Sequence, residues 1–179
     1  MKGIVFTEFF EMVEEKFGYG MVDDLISTTD LSSEGIYTSV GVYEHTEMVN
    51  LVVNLGEKTK IPVDQLLKIF GGYLFKTFTK SYGHFMTNAP DTFTFLASIH
   101  KYIHVEVQKL YPDAELPHFS IERTDENTLT MIYTSERKMA DLAFGLIEGC
   151  AEHYKESVEV SQFPMNEDGS ITKFVIIRK

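Results

Sequence analysis

The sequence predicts an α+β fold, in which a helical N-terminal part precedes a four-stranded antiparallel sheet. Up to about residue 110, apolar residues recur at intervals of three and four, the spacing of one helix face. After Pro117 the interval changes to two, which is typical of half-buried strands. One further helical stretch divides the strands into two pairs, so the second part has the order β-β-α-β-β.

Five helices are predicted in the first part of the chain. The first helix can end at Gly18, and the third ends near Gly56. The fourth begins with Pro62 in its first turn, and the fifth is terminated by Pro112. In chain order the segments are VFTEFFEMVEEKFG, MVDDLISTT, SVGVYEHTEMVNLVVNLGEKT, PVDQLLKIFGGYLFKTFTKSYG and DTFTFLASIHKYIHVEVQKLY.

Two adjacent glycines, Gly71 and Gly72, interrupt the fourth helix. Each lowers helix stability by about 1 kcal/mol relative to alanine. A second interpretation is that they allow another group to approach the helix closely.

The strands are predicted from two alternating pairs. HFSIERT and LTMIYTS flank a Thr-Asp-Glu-Asn turn, and SVEVSQF and SITKFVIIRK flank an Asn-Glu-Asp-Gly turn. Residues 136–154 form the helix between the pairs.

Composition restricts the partners. The 179 residues are 44% apolar, which suits one domain with a sizeable core. Acidic residues outnumber Lys plus Arg by 27 to 16, and the formal charge of −11 disfavours binding to nucleic acid or to anionic membranes. A basic surface on a partner protein remains compatible with this charge.

The single cysteine, Cys150, permits no disulfide framework and no multi-cysteine zinc site within the chain. We expect it to be a buried small residue, although a redox or zinc contact is a second possibility. The first residues lack a signal-peptide layout, and no run approaches 18 apolar residues. We therefore expect a soluble, cytoplasmic protein.

Three side chains with hydrogen-bond donors share one face at the end of a predicted strand. Tyr133, Ser135 and Arg137 lie two residues apart, so they point in the same direction. The guanidinium and two hydroxyls would bind a ligand that carries two carboxylates. An exposed polar face, with Arg137 paired to a nearby glutamate, explains the spacing equally well.

His104 lies beside an apolar stripe on the fifth predicted helix. A neutral imidazole in this position can ligate a transition metal or haem iron. Spacing alone favours an ordinary core or boundary histidine. His100, four residues earlier, could share a metal with His104, but no third ligand is evident.

Together these segments resemble the H-NOX family of haem-nitric oxide/oxygen binding domains. YTSER fits the family's Tyr-x-Ser-x-Arg motif, and His104 in HVEVQKL stands where the family has its iron ligand. Pro117 in ELPHF, the opening MKG and the later GLIEG also fit. The resemblance extends over the whole chain.

The resemblance implies one H-NOX domain over residues 1–179, with haem b between a helical distal subdomain, about 1–60, and a haem-cradling subdomain, about 61–179. His104 would be the proximal ligand, Pro117 would keep the porphyrin bent, and the Tyr-x-Ser-x-Arg residues would hold the propionates. By position, the residues that would line the ligand side are Val5, Phe9, Leu74, Phe78, Leu142 and Leu146.

Leu142 bears on gas selectivity. Oxygen-binding members of the family have a tyrosine at this position, supported by a polar residue where this chain has Leu74. Bound O₂ carries partial negative charge and gains about 1 kcal/mol or more from each hydrogen bond. An apolar distal side therefore favours NO and CO over O₂.

The resemblance further implies a sensor rather than an enzyme. Binding of NO opposite His104 would break the bond between His104 and iron, free the His104 helix and let the subdomains rotate. The partner would be a separate sensor histidine kinase or a cyclic di-GMP enzyme. Two other functions remain open: a metalloenzyme using His100 and His104 with Glu106 as base, and a carrier of an apolar carboxylate held by Arg137.

Overall fold

Seven α-helices and four strands form the chain in a computed structural model that describes residues 1–179. The helices are α1 Gly3–Phe17, α2 Tyr19–Thr28, α3 His45–Thr59, α4 Val63–Ser81, α5 Thr92–Ser98, α6 His104–Leu110 and α7 Ala140–Tyr154. The strands are β1 His118–Arg123, β2 Thr128–Thr134, β3 Val158–Pro164 and β4 Ile171–Arg178. This order confirms the predicted α+β class. None of the helices combines the length and the hydropathy needed to cross a membrane.

The four strands form one antiparallel sheet in the order β1-β2-β4-β3. Because residues two apart share a face, one face is continuous and buried. It consists of Phe119, Leu129, Met131, Tyr133, Phe174 and Ile176. This face packs with α7, whose Cys150 is completely buried in the same core. Tyr133 is thus on the buried side of β2, as the start of a row that continues past the strand.

The third helix is six residues shorter at its start than the sequence predicts. Residues 39–44 lie outside α3 because their backbone groups pair with the beginning of the chain. The Gly3 amide donates to the Gly41 carbonyl at 2.8 Å, and the Tyr43 amide donates to the Met1 carbonyl at 2.9 Å. The N-terminus is therefore held against this loop.

The last helix before the second strand pair also starts later than predicted, at Ala140 instead of residue 136. Lys138 has φ 56, a left-handed conformation that interrupts helix geometry. The Met139 amide donates to the Tyr133 hydroxyl at 3.2 Å, which supplies a partner that the helix would otherwise provide.

The fifth predicted helix is divided into three parts. Between α5 and α6, residues Ile99–Ile103 form a π-helical turn. A π turn contains an additional residue, so it changes which residues face the rest of the molecule. His104 is the first residue after this turn.

Glycines bring α4 and α7 into backbone contact. A Cβ on Gly71 would overlap the backbone of Leu142 and Leu146, and one on Gly145 would overlap the Lys68 carbonyl. The prediction that the central glycines of α4 admit a close neighbour is confirmed, and that neighbour is α7.

Two apolar cores lie on either side of this helix pair. The first combines α1–α4 and includes Phe6, Phe9, Met12, Leu51 and Phe70. The second lies between α5, α7 and the sheet. The first core draws residues from α4, so packing alone does not mark a boundary at residue 60, and the suggested division of the domain stays a prediction.

Candidate functional site

A cavity of about 300 Å³ opens between the two cores. Of its 31 lining residues, 25 are hydrophobic, and they come from the N-terminus, α4 to α7, β1 and β2. Concave, mostly apolar cavities with few polar groups are typical sites for small molecules and cofactors.

Every site residue predicted from the sequence lines this cavity except Phe9. The lining includes His104, Pro117, Tyr133, Ser135, Arg137, Val5, Leu74, Phe78, Leu142 and Leu146. Phe9 is instead fully buried in the first core, with its ring 5.3 Å from that of Phe70. It lies one helical turn beyond Val5, and that turn is enough to place it outside the lining.

His104 provides the only imidazole in the lining. Burial, followed by the nearby His100, lowers its pKa to about 4, although a hydrogen bond with the Pro117 backbone acts in the opposite direction. The ring is therefore neutral near neutral pH. A neutral ring nitrogen is the form that binds iron. The Phe119 ring, 5.9 Å away, contributes to the burial.

His100 is turned to a different neighbour. Its ring lies 4.2 Å from that of His118 and 6.4 Å from that of His104, and it does not line the cavity. Its Nδ1 is buried without a hydrogen-bond partner. No group of three His, Cys, Asp or Glu side chains is placed to hold a metal ion, so the suggested two-histidine metal centre lacks a complete ligand set.

The donor row reaches the rim of the cavity through the end of β2. The strand ends at Thr134, so Ser135 and Arg137 stand in the following loop. The Arg137 amide donates to Ser135 Oγ at 3.2 Å, as the Met139 amide does to the Tyr133 hydroxyl. Both hydroxyls act as acceptors here, so each retains a hydrogen to donate to a ligand.

Arg137 combines the two interpretations that the sequence left open. Its guanidinium donates to the Glu115 carboxylate at 3.0 Å, and both residues line the cavity. The Arg137 guanidinium is thus paired with the Glu115 carboxylate and also lies where it could bind an anion in the cavity.

Another group of lining residues has hydrocarbon side chains. Val5 of α1, Leu74 and Phe78 of α4, and Leu142 and Leu146 of α7 all lie there without a polar side-chain atom. The cavity lining thus contains one imidazole, a row of donors and a largely apolar remainder.

Sequence reasoning did not identify five lining residues that carry polar groups: Met1 with its terminal ammonium, Lys2, Tyr82, Tyr111 and Glu115. Lys2 donates from Nζ to the Val40 carbonyl at 2.7 Å and to Asp113 at 3.3 Å. Burial, followed by the positive charge of Arg137, lowers the pKa of the Met1 ammonium. Met1 and Lys2 belong to the opening MKG, but no local motif marks Tyr82, Tyr111 or Glu115, which the chain fold brings to the cavity.

The residues present fit a haem. The apolar lining suits a porphyrin, the neutral His104 suits its iron, and Arg137 with the two hydroxyls suits a pair of propionates. Fold and cavity together define an α+β haem-binding sensory domain.

The chain belongs to the Haem-NO-binding family, that of the H-NOX proteins, because the profile of this family matches residues 2–162. The resemblance inferred from the motifs is thereby confirmed. A comparison with curated proteins finds no match.

Solved H-NOX structures share the fold over the full chain. The unliganded Fe(II) protein from K. algicida is 44% identical, with all of this chain and 97% of that chain covered and a TM-score of 0.95. The Shewanella woodyi protein, solved with IWP-051 in the Fe(II)CO state, is 42% identical, with 100% and 95% covered and a TM-score of 0.85. The S. oneidensis protein in the Fe(II)NO state is 26% identical, with 100% and 99% covered and a TM-score of 0.92.

Proposed function

We propose that this chain is a haem b sensor of nitric oxide that also binds CO and discriminates against O₂. The observation that supports it is the composition of one cavity, in which a single neutral imidazole lies among hydrocarbon side chains. A bound haem supplies the ferrous iron to which such gases attach. Relatives solved in the Fe(II)NO and Fe(II)CO states make these two gases the natural candidates.

Four residues would hold the cofactor by its charged and metal groups. His104 would supply a ring nitrogen to the iron, and Tyr133, Ser135 and Arg137 would donate to the propionates. Pro117, which also lines the cavity, would press on the porphyrin and keep it bent.

Discrimination against O₂ would come from what Leu74 and Leu142 lack. Neither side chain can donate a hydrogen bond to a gas on the apolar side of the cavity. O₂ depends on such a donor more than NO does, by about 1 kcal/mol or more per hydrogen bond.

The signal would pass through α6. If His104 were released from a bound iron, this helix would lose its attachment to the cofactor. No residue of the π turn or of α6 is fully buried, so few packing contacts resist its displacement. Segments with few buried contacts move at low free-energy cost. A shift of α6 would then change the relative populations of two conformations of the domain. The size of this change is limited by the difference in the ligand's affinity for the two conformations.

The receiver of that signal would be a separate protein, a sensor histidine kinase or an enzyme that makes or degrades cyclic di-GMP. The formal charge of −11 favours a basic docking surface on this partner. No catalytic role is proposed for the chain itself.

The experiment is to replace His104 by glycine and to supply free imidazole. Without imidazole, the ferrous absorption spectrum should differ from that of the wild type, and imidazole should restore it. On addition of NO, hydrogen exchange in α6 should increase in the wild type but not in the restored variant. His100→Gly, outside the cavity lining, is the control and should retain the wild-type spectrum.

Two results would contradict this function. An unchanged spectrum in His104→Gly would show that His104 does not ligate the iron. An equal NO response in the restored variant would show that the signal does not depend on the bond between α6 and the iron. A colourless protein that co-purifies with lipid would instead support a carboxylate carrier, and tight zinc or iron binding without a Soret band would support a metalloenzyme.

A further inference from the structure

Two tyrosine hydroxyls meet at the cavity. The Tyr82 and Tyr111 oxygens are 3.2 Å apart, a hydrogen bond between residues 29 positions apart in sequence. Both residues line the cavity, and neither belongs to the donor row or to the apolar side.

Each tyrosine stands at the end of a helix that carries part of the site. Tyr82 directly follows α4, which contributes Leu74 and Phe78 to the apolar side. Tyr111 directly follows α6, which begins with His104. The hydrogen bond therefore joins the helix that presents the imidazole to a helix that faces the gas.

The surroundings hold both rings in place. Tyr82 lies edge-on to Phe78 at 5.9 Å and stacks on Phe85 at 6.1 Å. The Lys2 ammonium lies 5.0 Å from the centre of the Tyr111 ring and is itself fixed by Asp113. Burial raises the pKa of Tyr82 to about 12, so the hydroxyl keeps its hydrogen near neutral pH.

Few other contacts hold α6, among them the hydrogen bond of His104 with the Pro117 backbone and the packing of Val107 against the second core. None of its residues is fully buried, and apart from the preceding π turn it has no extensive contact with another helix or strand. A single hydrogen bond at its end can therefore make a measurable contribution to its position.

We infer that the Tyr82–Tyr111 pair is a latch that holds α6 against α4 and opposes the withdrawal of His104 from iron. The inference rests on the proposed function, since it concerns how readily His104 is released. Both tyrosines are positioning residues, because they act through His104 and not on the gas.

The test compares Tyr82→Phe, Tyr111→Phe and the double variant as haem-loaded proteins. Each substitution removes only a hydroxyl. The rate of haem transfer to excess apomyoglobin should rise about two- to tenfold in each single variant. On addition of NO, the absorption spectrum should convert to the five-coordinate form, in which the histidine is detached, faster by a similar factor. The double variant should match the single variants, because all three lack the same bond.

The control is Tyr102→Phe. Tyr102 lies on the π turn directly before α6, is 39% exposed and does not line the cavity. Its substitution should leave both the transfer rate and the spectrum unchanged.

Unchanged rates and spectra in the three latch variants would overturn the inference. Additive effects in the double variant would also overturn it, because they would indicate separate packing roles. Haem transfer requires no NO, so the latch is tested independently of gas binding. If His104→Gly behaves as proposed while the latch variants behave like the control, the latch fails and the sensor function stands.

Discussion

The Arg137 guanidinium and the Glu115 carboxylate form an ion pair of 3.0 Å on the rim of the cavity. The two partners differ in their access to water: the Arg137 side chain is 16% exposed and that of Glu115 is 86% exposed. Exposed carboxylates contribute little to ion-pair stability because water solvates them nearly as well. Glu115 can therefore turn away, while Arg137 stays in the cavity lining, where it would be available to the anion of the proposed function.

Glu115→Gln should strengthen haem retention. Loss of the carboxylate removes a competitor for Arg137, so we expect haem transfer to apomyoglobin to slow by about two- to fivefold, within the range of an exposed ion pair. Arg137→Ala should accelerate transfer by about tenfold or more, since it removes a charged hydrogen-bond donor. Glu122→Gln, on the exposed face of β1, should have no effect. Faster transfer from Glu115→Gln would show that the glutamate orients Arg137 and does not compete for it.

Local spacing predicts the parts of the site that lie close together in sequence. Strand geometry accounts for Tyr133, whereas Ser135 and Arg137 lie in the loop that directly follows β2 and still line the same cavity. His104 and Pro117 could be identified because family motifs surround them. In each case a pattern of a few neighbouring residues is enough to identify the residue, without knowledge of contacts between distant segments.

Other features depend on contacts between distant segments. Phe9 shares a helical face with Val5, yet helix periodicity does not show where the cavity ends and the core begins. The π turn before His104 has the same apolar spacing as an α-helix, so sequence gives no sign of it. Tyr82 and Tyr111 meet only because α4 and α6 end at the same place.

Leu142→Tyr should allow O₂ to bind. Leu142 lines the cavity from α7, so a tyrosine there would bring a hydroxyl donor to the side that lacks one. The larger side chain also overpacks the site, which we expect to lower the free energy of unfolding by about 1–3 kcal/mol. The measurement is the absorption spectrum of the ferrous protein in air, where only the variant should form a lasting O₂ complex.

Leu142→Phe separates the hydroxyl from the size of the ring. It should lose similar stability but gain no O₂ binding, because phenylalanine has no donor. O₂ binding by Leu142→Phe, or by the wild type, would show that the lack of a donor at this position does not determine selectivity.

Gly145→Ala should destabilise the fold more than a surface change of the same size. Its Cβ would overlap the Lys68 carbonyl and force α4 and α7 apart. We expect a loss of about 2 kcal/mol or more in the free energy of unfolding, measured with urea and circular dichroism. Gly83→Ala is the matched control, since a Cβ there meets open space, and its effect should stay within about 0.5 kcal/mol. If Gly145→Ala lowers the free energy of unfolding as little as Gly83→Ala does, α4 and α7 can move apart at no measurable cost.

Glu47 should stabilise the loop between α2 and α3 through its buried carboxylate. It is 4% exposed and accepts hydrogen bonds from the hydroxyls of Ser33 at 2.5 Å and Tyr37 at 2.6 Å. Burial and the neighbouring Glu47 raise the pKa of Tyr37, so its hydroxyl remains a donor throughout the ordinary pH range. Glu47→Ala would leave both hydroxyls without this acceptor. Because each hydrogen bond to a charged group contributes about 1.5–3 kcal/mol, we expect a loss of about 2 kcal/mol or more.

Glu47→Gln keeps one acceptor oxygen in place and should cost about half as much. The effect of Glu47→Ala should also reach the cavity. Tyr37 stacks on Phe6 at 4.3 Å, and the same loop supplies the Gly41 carbonyl that accepts from the Gly3 amide next to the cavity lining. Hydrogen exchange of the amides at residues 3 and 43 should therefore increase together with the loss of stability, and haem transfer should accelerate. If stability falls while these amides stay protected, the effect of Glu47 is limited to the first core, and the loop is not coupled to the haem site.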